Sequence, residues 1–129
     1  MDPGVQSSAT AFINYVELQT GSQIRVTEGL RSTEKQDQLY NQSRTNPPTG
    51  PWATNAKGGE SYHNYGLAVD VVKIEDGKAV WTPVSKEVAN FGYGFGFEWG
   101  GYWRQPSTDY PHFQMTFGQS IVDLQRSSN

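Results

Sequence analysis

One segment limits the fold of this chain more than any other. Leu67-Ala68-Val69-Asp70-Val71-Val72 is a run of apolar, mostly β-branched residues broken by a single carboxylate. Such a run is predicted to form a strand, Leu67 to Ile74, buried in a sheet. A carboxylate inside it is costly to bury unless it is paired or bound to a metal. The segment therefore sets two expectations at once: a sheet interior, and something for Asp70 to hold.

The elements around it point to an antiparallel sheet. Asp76-Gly77 is a strong hairpin signal between the Asp70 strand and Lys78–Trp81. Gln23–Thr27 alternates as a strand, and His112–Phe117 does the same. Helices are predicted over Ser8–Thr20, over Thr33–Gln42 with Thr33 and Gln36 as a capping box, and over Ile121–Gln125. Thr82 and Pro83 suit the cap and first turn of another helix running to about Asn90. Gln42–Ser61 is the longest loop, dense in Pro and Gly, and Gly92–Asp109 is a second irregular stretch. Strands and helices alternate irregularly. The fold class this implies is α+β, with a central antiparallel β-sheet flanked by helices. At 129 residues the chain is read as a single domain, 1–129, with no repeat and no low-complexity tract.

Composition removes whole chemistries. There is no cysteine, so disulfide scaffolds, thiol nucleophiles, Cys-type zinc fingers and iron–sulfur clusters are excluded. A net charge of -3 argues against a nucleic-acid partner. No apolar run approaches a membrane span, so no membrane insertion is expected. The N-terminus lacks the basic and apolar regions of a signal peptide. There are only two histidines, which confines any imidazole chemistry to His63 and His112.

His63 ends the Gly-rich loop and His112 opens a strand. Catalytic zinc is held by three protein ligands with water in the fourth position, and His63, Asp70 and His112 supply that set. Asp109, three residues before His112, is near enough to move protons beside the same metal. Other readings stay open at this level. Either histidine fits an ordinary hydrogen-bonded position, Asp70 fits a strand-end partner for a lysine, and Asp109 fits a turn before Pro111. A two-His-one-carboxylate iron site uses the same ligand types, but usually as His-x-Asp on one strand.

Ser61-x-His63-x-x-Gly66-x-Ala68-x-Asp70, followed by Asp109-x-x-His112, resembles the zinc signature of the D-Ala-D-Ala carboxypeptidase / L-alanyl-D-glutamate peptidase family. These peptidoglycan peptidases share a fold with lysostaphin, D,D-carboxypeptidases and hedgehog domains. Glu28-Gly29-Leu30-Arg31-Ser32-x-x-x-Gln36 resembles a second segment of the family. Gly96-Phe97-Glu98-Trp99-Gly100-Gly101-x-Trp103 resembles the Trp-Gly-Gly-x-Trp stretch of its L-alanyl-D-glutamate branch, which includes phage endolysins. The likeness runs from about Val26 to Met115.

The resemblance implies a hedgehog/D,D-peptidase-like fold and one Zn2+ per chain on His63, Asp70 and His112. It implies Asp109 as general base and then acid, and Arg31 as the group facing the scissile carbonyl. Substrate-binding candidates are Ser61, Gln36, Trp99 and Trp103; Ser61 has loop orientation as its other reading, and the two tryptophans have core packing. The implied function is cleavage of peptidoglycan stem peptides, between L-Ala and D-Glu. The rivals are a D,D-carboxypeptidase or dipeptidase on D-Ala-D-Ala, and a hedgehog-like zinc domain that catalyses nothing. Retention of Asp109 and Arg31 favours an enzyme over a binding domain. Tyr102 stands where the family's stretch has Asp, and the segment from Trp99 to Asp109 is short. The setting implied is the bacterial cell wall or periplasm, reached by a phage lysis route or dedicated secretion, or with the leader absent from the sequence. The protein is expected to be a monomer, with an immunity protein in the producer if it is a secreted effector.

Overall fold

The computed structural model describes residues 1–127. Helix α1 (Pro3–Thr20) is followed by strand β1 (Gln23–Glu28), helix α2 (Thr33–Asn41) and a long loop. A 3-10 turn (Tyr62–Tyr65) leads into β2 (Ala68–Glu75) and β3 (Lys78–Val80). Helix α3 (Lys86–Gly94), β4 (Glu98–Trp99), a second 3-10 turn (Gly100–Tyr102), β5 (His112–Gln114) and α4 (Ile121–Ser127) complete the chain.

The sheet runs β1-β2-β5-β4, with β3 paired to β2 by the hairpin, and every pairing is antiparallel. The α+β expectation therefore holds. The hairpin turn needs two left-handed residues, and Asp76 and Gly77 supply them at φ 51° and 75°.

The two faces of β2 have separate jobs. Val69 and Val71 join Phe12, Val16, Ile24, Phe97, Trp99 and Phe113 in the core beneath α1 and α3. Ala68, Asp70 and Val72 alternate onto the opposite face. The carboxylate that looked misplaced thus sits on the face away from the helical core.

Several boundaries differ from the sequence reading. Helix α1 starts at Pro3, because the Asp2 carboxylate accepts hydrogen bonds from Gly4 and Val5 and Pro3 fits the first turn. Helix α2 is capped by Ser32, whose hydroxyl accepts from Lys35, so Thr33 and Gln36 form no capping box. Helix α3 is capped by Ser85, so Thr82 and Pro83 lie outside it. Strand β5 stops at Gln114, because Phe117 and Gly118 take positive φ and turn the chain. The Gly92–Asp109 stretch hides the end of α3 and the short strand β4.

Candidate metal centre and cleft

The site is built on the sheet register. Asp70 in β2 pairs with His112 in β5 on one side and with Glu28 in β1 on the other. Directly opposed residues share a face, so these three side chains line up across three strands. Glu28 is in that line only because β1 is irregular between Val26 and Glu28. The shift skips Thr27 and brings the next side chain to the site, which is what a bulge does.

His63 arrives from the 3-10 turn. The Ser61 hydroxyl caps that turn by accepting from the His63 N–H, 3.2 Å away. Gly66 closes it at φ 71°, and a Cβ there would lie 3.0 Å from the Met1 Cα. Asn64 binds the turn to its surroundings. Its amide donates to the Arg31 and Ser32 carbonyls at 3.0 and 3.3 Å, and its oxygen accepts from Gly59 and Ser61 at 3.1 and 3.2 Å.

His63, Asp70 and His112 converge, with one ligand atom from each within 4.8 Å of the others. His63 Nε2 is 3.1 Å and His112 Nδ1 is 3.9 Å from Asp70 Oδ1. Neighbouring ligands about 2 Å from a tetrahedral ion lie roughly 3.3 Å apart, so this donor set fits zinc. The outward nitrogens are occupied. His63 Nδ1–H donates to the Gly29 carbonyl and His112 Nε2–H to the Gln114 side-chain oxygen, both at 2.8 Å. The remaining nitrogen of each ring, His63 Nε2 and His112 Nδ1, is the one that faces Asp70.

Burial, reinforced by His63, pushes the His112 imidazole down to about 4, so it is neutral and ready to coordinate near pH 7. Burial pushes the Asp70 carboxyl up, but the His63 hydrogen bond and the charges of His63, His112 and Arg31 outweigh it and hold Asp70 below its ordinary value. Asp109 behaves differently. Burial and then the Asp70 charge raise it to about 6. Its side chain is still 48% exposed, and Oδ2 lies 3.9 Å from His112 Nδ1.

The Trp-Gly-Gly stretch is what sets Asp109 there. Gly100 accepts from the Asp109 N–H at 2.9 Å, and a Cβ on Gly100 would lie 2.4 Å from the Asp109 carbonyl oxygen. A Cβ on Gly101 would enter the Trp99 ring. These glycines are required by close approach.

Arg31 is fixed on three sides. Glu28 accepts from Nε and Nη2 at 2.7 and 2.8 Å, and Gln36 accepts from Nη1 at 2.9 Å. Nη2 is also 3.6 Å from Asp70 Oδ2. Burial pushes the guanidinium down, but Glu28 outweighs it and keeps the group firmly charged.

The metal-ligand candidates, Glu28, Arg31, Asp109 and Gln114 border one cleft of about 670 Å³. Its walls include Arg31, His63, Asp70, Asp109 and His112, and the sequence candidates Ser61 and Trp103 also border it. Two candidates need correction. Gln36 is fully buried, with its amide on the Ala56 carbonyl at 2.8 Å, so it positions Arg31 instead of meeting substrate. Trp99 is core: it is buried and donates to the Tyr110 carbonyl at 2.7 Å. Trp103 packs on His112 with ring centroids 5.0 Å apart.

The sequence reading gave no role to Glu28, Asn64 or Gln114. Glu28 and Arg31 are three residues apart, and Gln114 lies two beyond His112, on the same strand face. The second spacing was a usable signal; the bulge hid the first.

Comparison with known proteins agrees with this geometry. The family described as D-alanyl-D-alanine carboxypeptidase matches residues 54–115. The peptidoglycan L-alanyl-D-glutamate endopeptidase CwlK of Bacillus subtilis (strain 168) is 39% identical over 126 residues, covering 89% of this chain and 73% of that protein. The crystal structure of the Serratia marcescens L-Ala D-Glu endopeptidase ChiX superposes with a TM-score of 0.63 at 25% identity, over 91% of this chain and 81% of that one. The vancomycin-resistance D,D-pentapeptidase VanY, solved with Zn(II), shares the fold at TM-score 0.63 and 21% identity, over 89% of this chain and 72% of that one. On this shared sequence and fold, the chain belongs to the D-alanyl-D-alanine carboxypeptidase family of peptidases.

Proposed function

We propose that this protein is a zinc-dependent peptidoglycan peptidase that hydrolyses the stem peptide between L-Ala and D-Glu. The observation that carries the reading is the His63–Asp70–His112 cluster with the half-exposed Asp109 beside it in one cleft. The bond assignment is supported by the likeness to CwlK and ChiX, both L-alanyl-D-glutamate endopeptidases by name.

His63 Nε2, His112 Nδ1 and Asp70 would hold one zinc ion. When bound there, zinc supplies Lewis acidity, making a water nucleophilic near pH 7 and polarising a carbonyl. Asp109 takes the proton from the attacking water and returns it to the leaving amine. A carboxyl raised to about 6 is ionised at neutral pH, yet gives its proton up less readily than a free aspartate. Glu28 cannot do this work, since both its oxygens are engaged by Arg31. Arg31, immobilised by Glu28 and Gln36, presents fixed positive charge toward the oxyanion that develops at the scissile carbonyl. Ser61 acts through the His63 turn, and Trp103 forms wall beside His112.

The substrate places the protein's action in the cell wall. No helix among the described residues is long and apolar enough to cross a membrane. One chain carries every residue the mechanism uses, so it is read as a working monomer. The need for an immunity protein belongs to the same reading only if a bacterium exports this chain against rivals.

The test is digestion of purified muropeptides by the zinc-loaded protein, with product masses read. Muramyl-L-Ala and a peptide beginning with D-Glu are expected. Release of free D-Ala would replace this reading with a D,D-carboxypeptidase, and intact muropeptides would replace it with a binding domain.

A further inference from the structure

The polar side chains around the cleft are nearly all committed to the protein itself. The Ser61 hydroxyl caps the His63 turn, and the Tyr62 hydroxyl donates to the Gln119 carbonyl. Thr54 accepts from Ala56 N–H, Thr108 donates to the Trp103 carbonyl, and Asn55 donates to Ser107 across the cleft. Besides the two histidines, two cations line this space, Arg31 and Lys35. Arg31 is held by Glu28 and Gln36 through Nε and one hydrogen on each Nη, and its remaining charge is the one assigned to the oxyanion. Lys35 is not so held: among the described residues its ammonium makes no hydrogen bond and no ion pair. Its backbone is nevertheless fixed, because its N–H is the one that Ser32 caps at 3.0 Å. It stands four residues after Arg31, in the first turn of α2.

The substrate side supplies a matching group. A stem peptide continues from the γ-carboxyl of its D-glutamyl residue, so the α-carboxylate stays free. That carboxylate is attached to the carbon that bears the scissile nitrogen, and must enter the cleft whenever the bond is cut. It enters beside Glu60, Asp70 and Asp109, which also border the cleft. A carboxylate leaving bulk water among other carboxylates needs a cationic partner.

We infer that Lys35 binds the free α-carboxylate of the D-glutamyl residue, and so makes the enzyme select acidic over amidated stem peptides. This rests on the L-Ala–D-Glu endopeptidase reading above. Lys35 acts on binding and not on the chemical step, so its contribution falls on KM.

The experiment compares two stem peptides, one with D-Glu and one with D-isoglutamine, whose α-carboxamide is neutral. Both are cut by wild-type protein, Lys35→Ala and Lys35→Arg. Wild type is expected to prefer the acid. Lys35→Ala should lose about fivefold to tenfold in kcat/KM on the acid, the scale of one half-exposed charged hydrogen bond. That loss should appear in KM, leave the amide unchanged and be partly rescued in Lys35→Arg. Equal losses on both peptides, or none on the acid, overturn the inference alone. If wild type leaves the L-Ala–D-Glu bond of both peptides intact, the endopeptidase reading fails and this inference falls with it.

Discussion

The floor of the cleft and its rim are built on opposite terms. On the floor, Glu28, Asp70 and His112 are set by pairing across three strands, and each side chain has a partner. On the rim, the Gln42–Ser61 loop and the segment from Trp103 to Asp109 have no regular structure and meet through one long bond, Asn55 to Ser107 at 3.4 Å. Trp52, half exposed, and Lys35 face the same opening, and among the described residues their polar ends have no hydrogen-bond or ion-pair partner. A floor of this kind holds a charged ion and a proton-transfer group at fixed distances. A rim of this kind has its binding capacity still unspent and suits recognition.

The largest effect is expected at the floor. His63→Ala should lose both zinc and activity, with turnover falling at least about 1,000-fold. Metal analysis of the purified variant checks this, and a full complement of zinc would remove His63 from the ligand set. A smaller effect separates ligand from support. Gln114→Ala leaves all three ligands in place but frees the His112 ring, so zinc affinity should weaken about 10- to 100-fold. Competition with a chelator measures it, and unchanged affinity would mean that the ring needs no anchor.

The rim should respond in another way. Trp52→Ala is expected to raise KM by a few-fold and leave zinc affinity and kcat as they are. A drop in kcat would show that the rim reaches the chemistry.

The smallest effect is in acid stability. In the metal-free protein, His112 titrates near 4 when folded and near its ordinary 6.5 when unfolded. Between those values the unfolded chain binds more protons, so acidification destabilises the fold. Asp109 opposes this, because its folded value of about 6 lies above the ordinary 3.8 and acidification there favours the fold. Removing the opposing group in metal-free Asp109→Asn should make Tm fall more steeply from pH 6 to pH 4 than in wild type. Parallel Tm profiles would show that Asp109 is not raised.

Floor and rim also differ in how far they can be read from sequence. Asp70 announced itself, because a charge within a β-branched run needs a reason, and the two histidines left few other ligands. The Trp-Gly-Gly stretch was visible as a motif, and its cause is the contact of Gly100 with the Asp109 backbone. Gln36 looked like a cap or a substrate contact and is neither, because only the tertiary fold shows that Arg31 and Ala56 occupy it. Glu28 was hidden by the β1 bulge, since strict alternation would have turned Thr27 toward Asp70 instead. Lys35 carries no sequence signal at all. An exposed helical lysine is ordinary until the cleft shows which cations are already paired.

In the proposed function, metal holding and proton transfer are divided between neighbouring groups, with His63, Asp70 and His112 doing the first and Asp109 the second. Zinc content and muropeptide turnover of Asp109→Asn, measured on the same sample, test it most directly. One zinc per chain is expected, as in wild type, with turnover reduced about 100- to 10,000-fold. Turnover near the wild-type rate with zinc in place would contradict it.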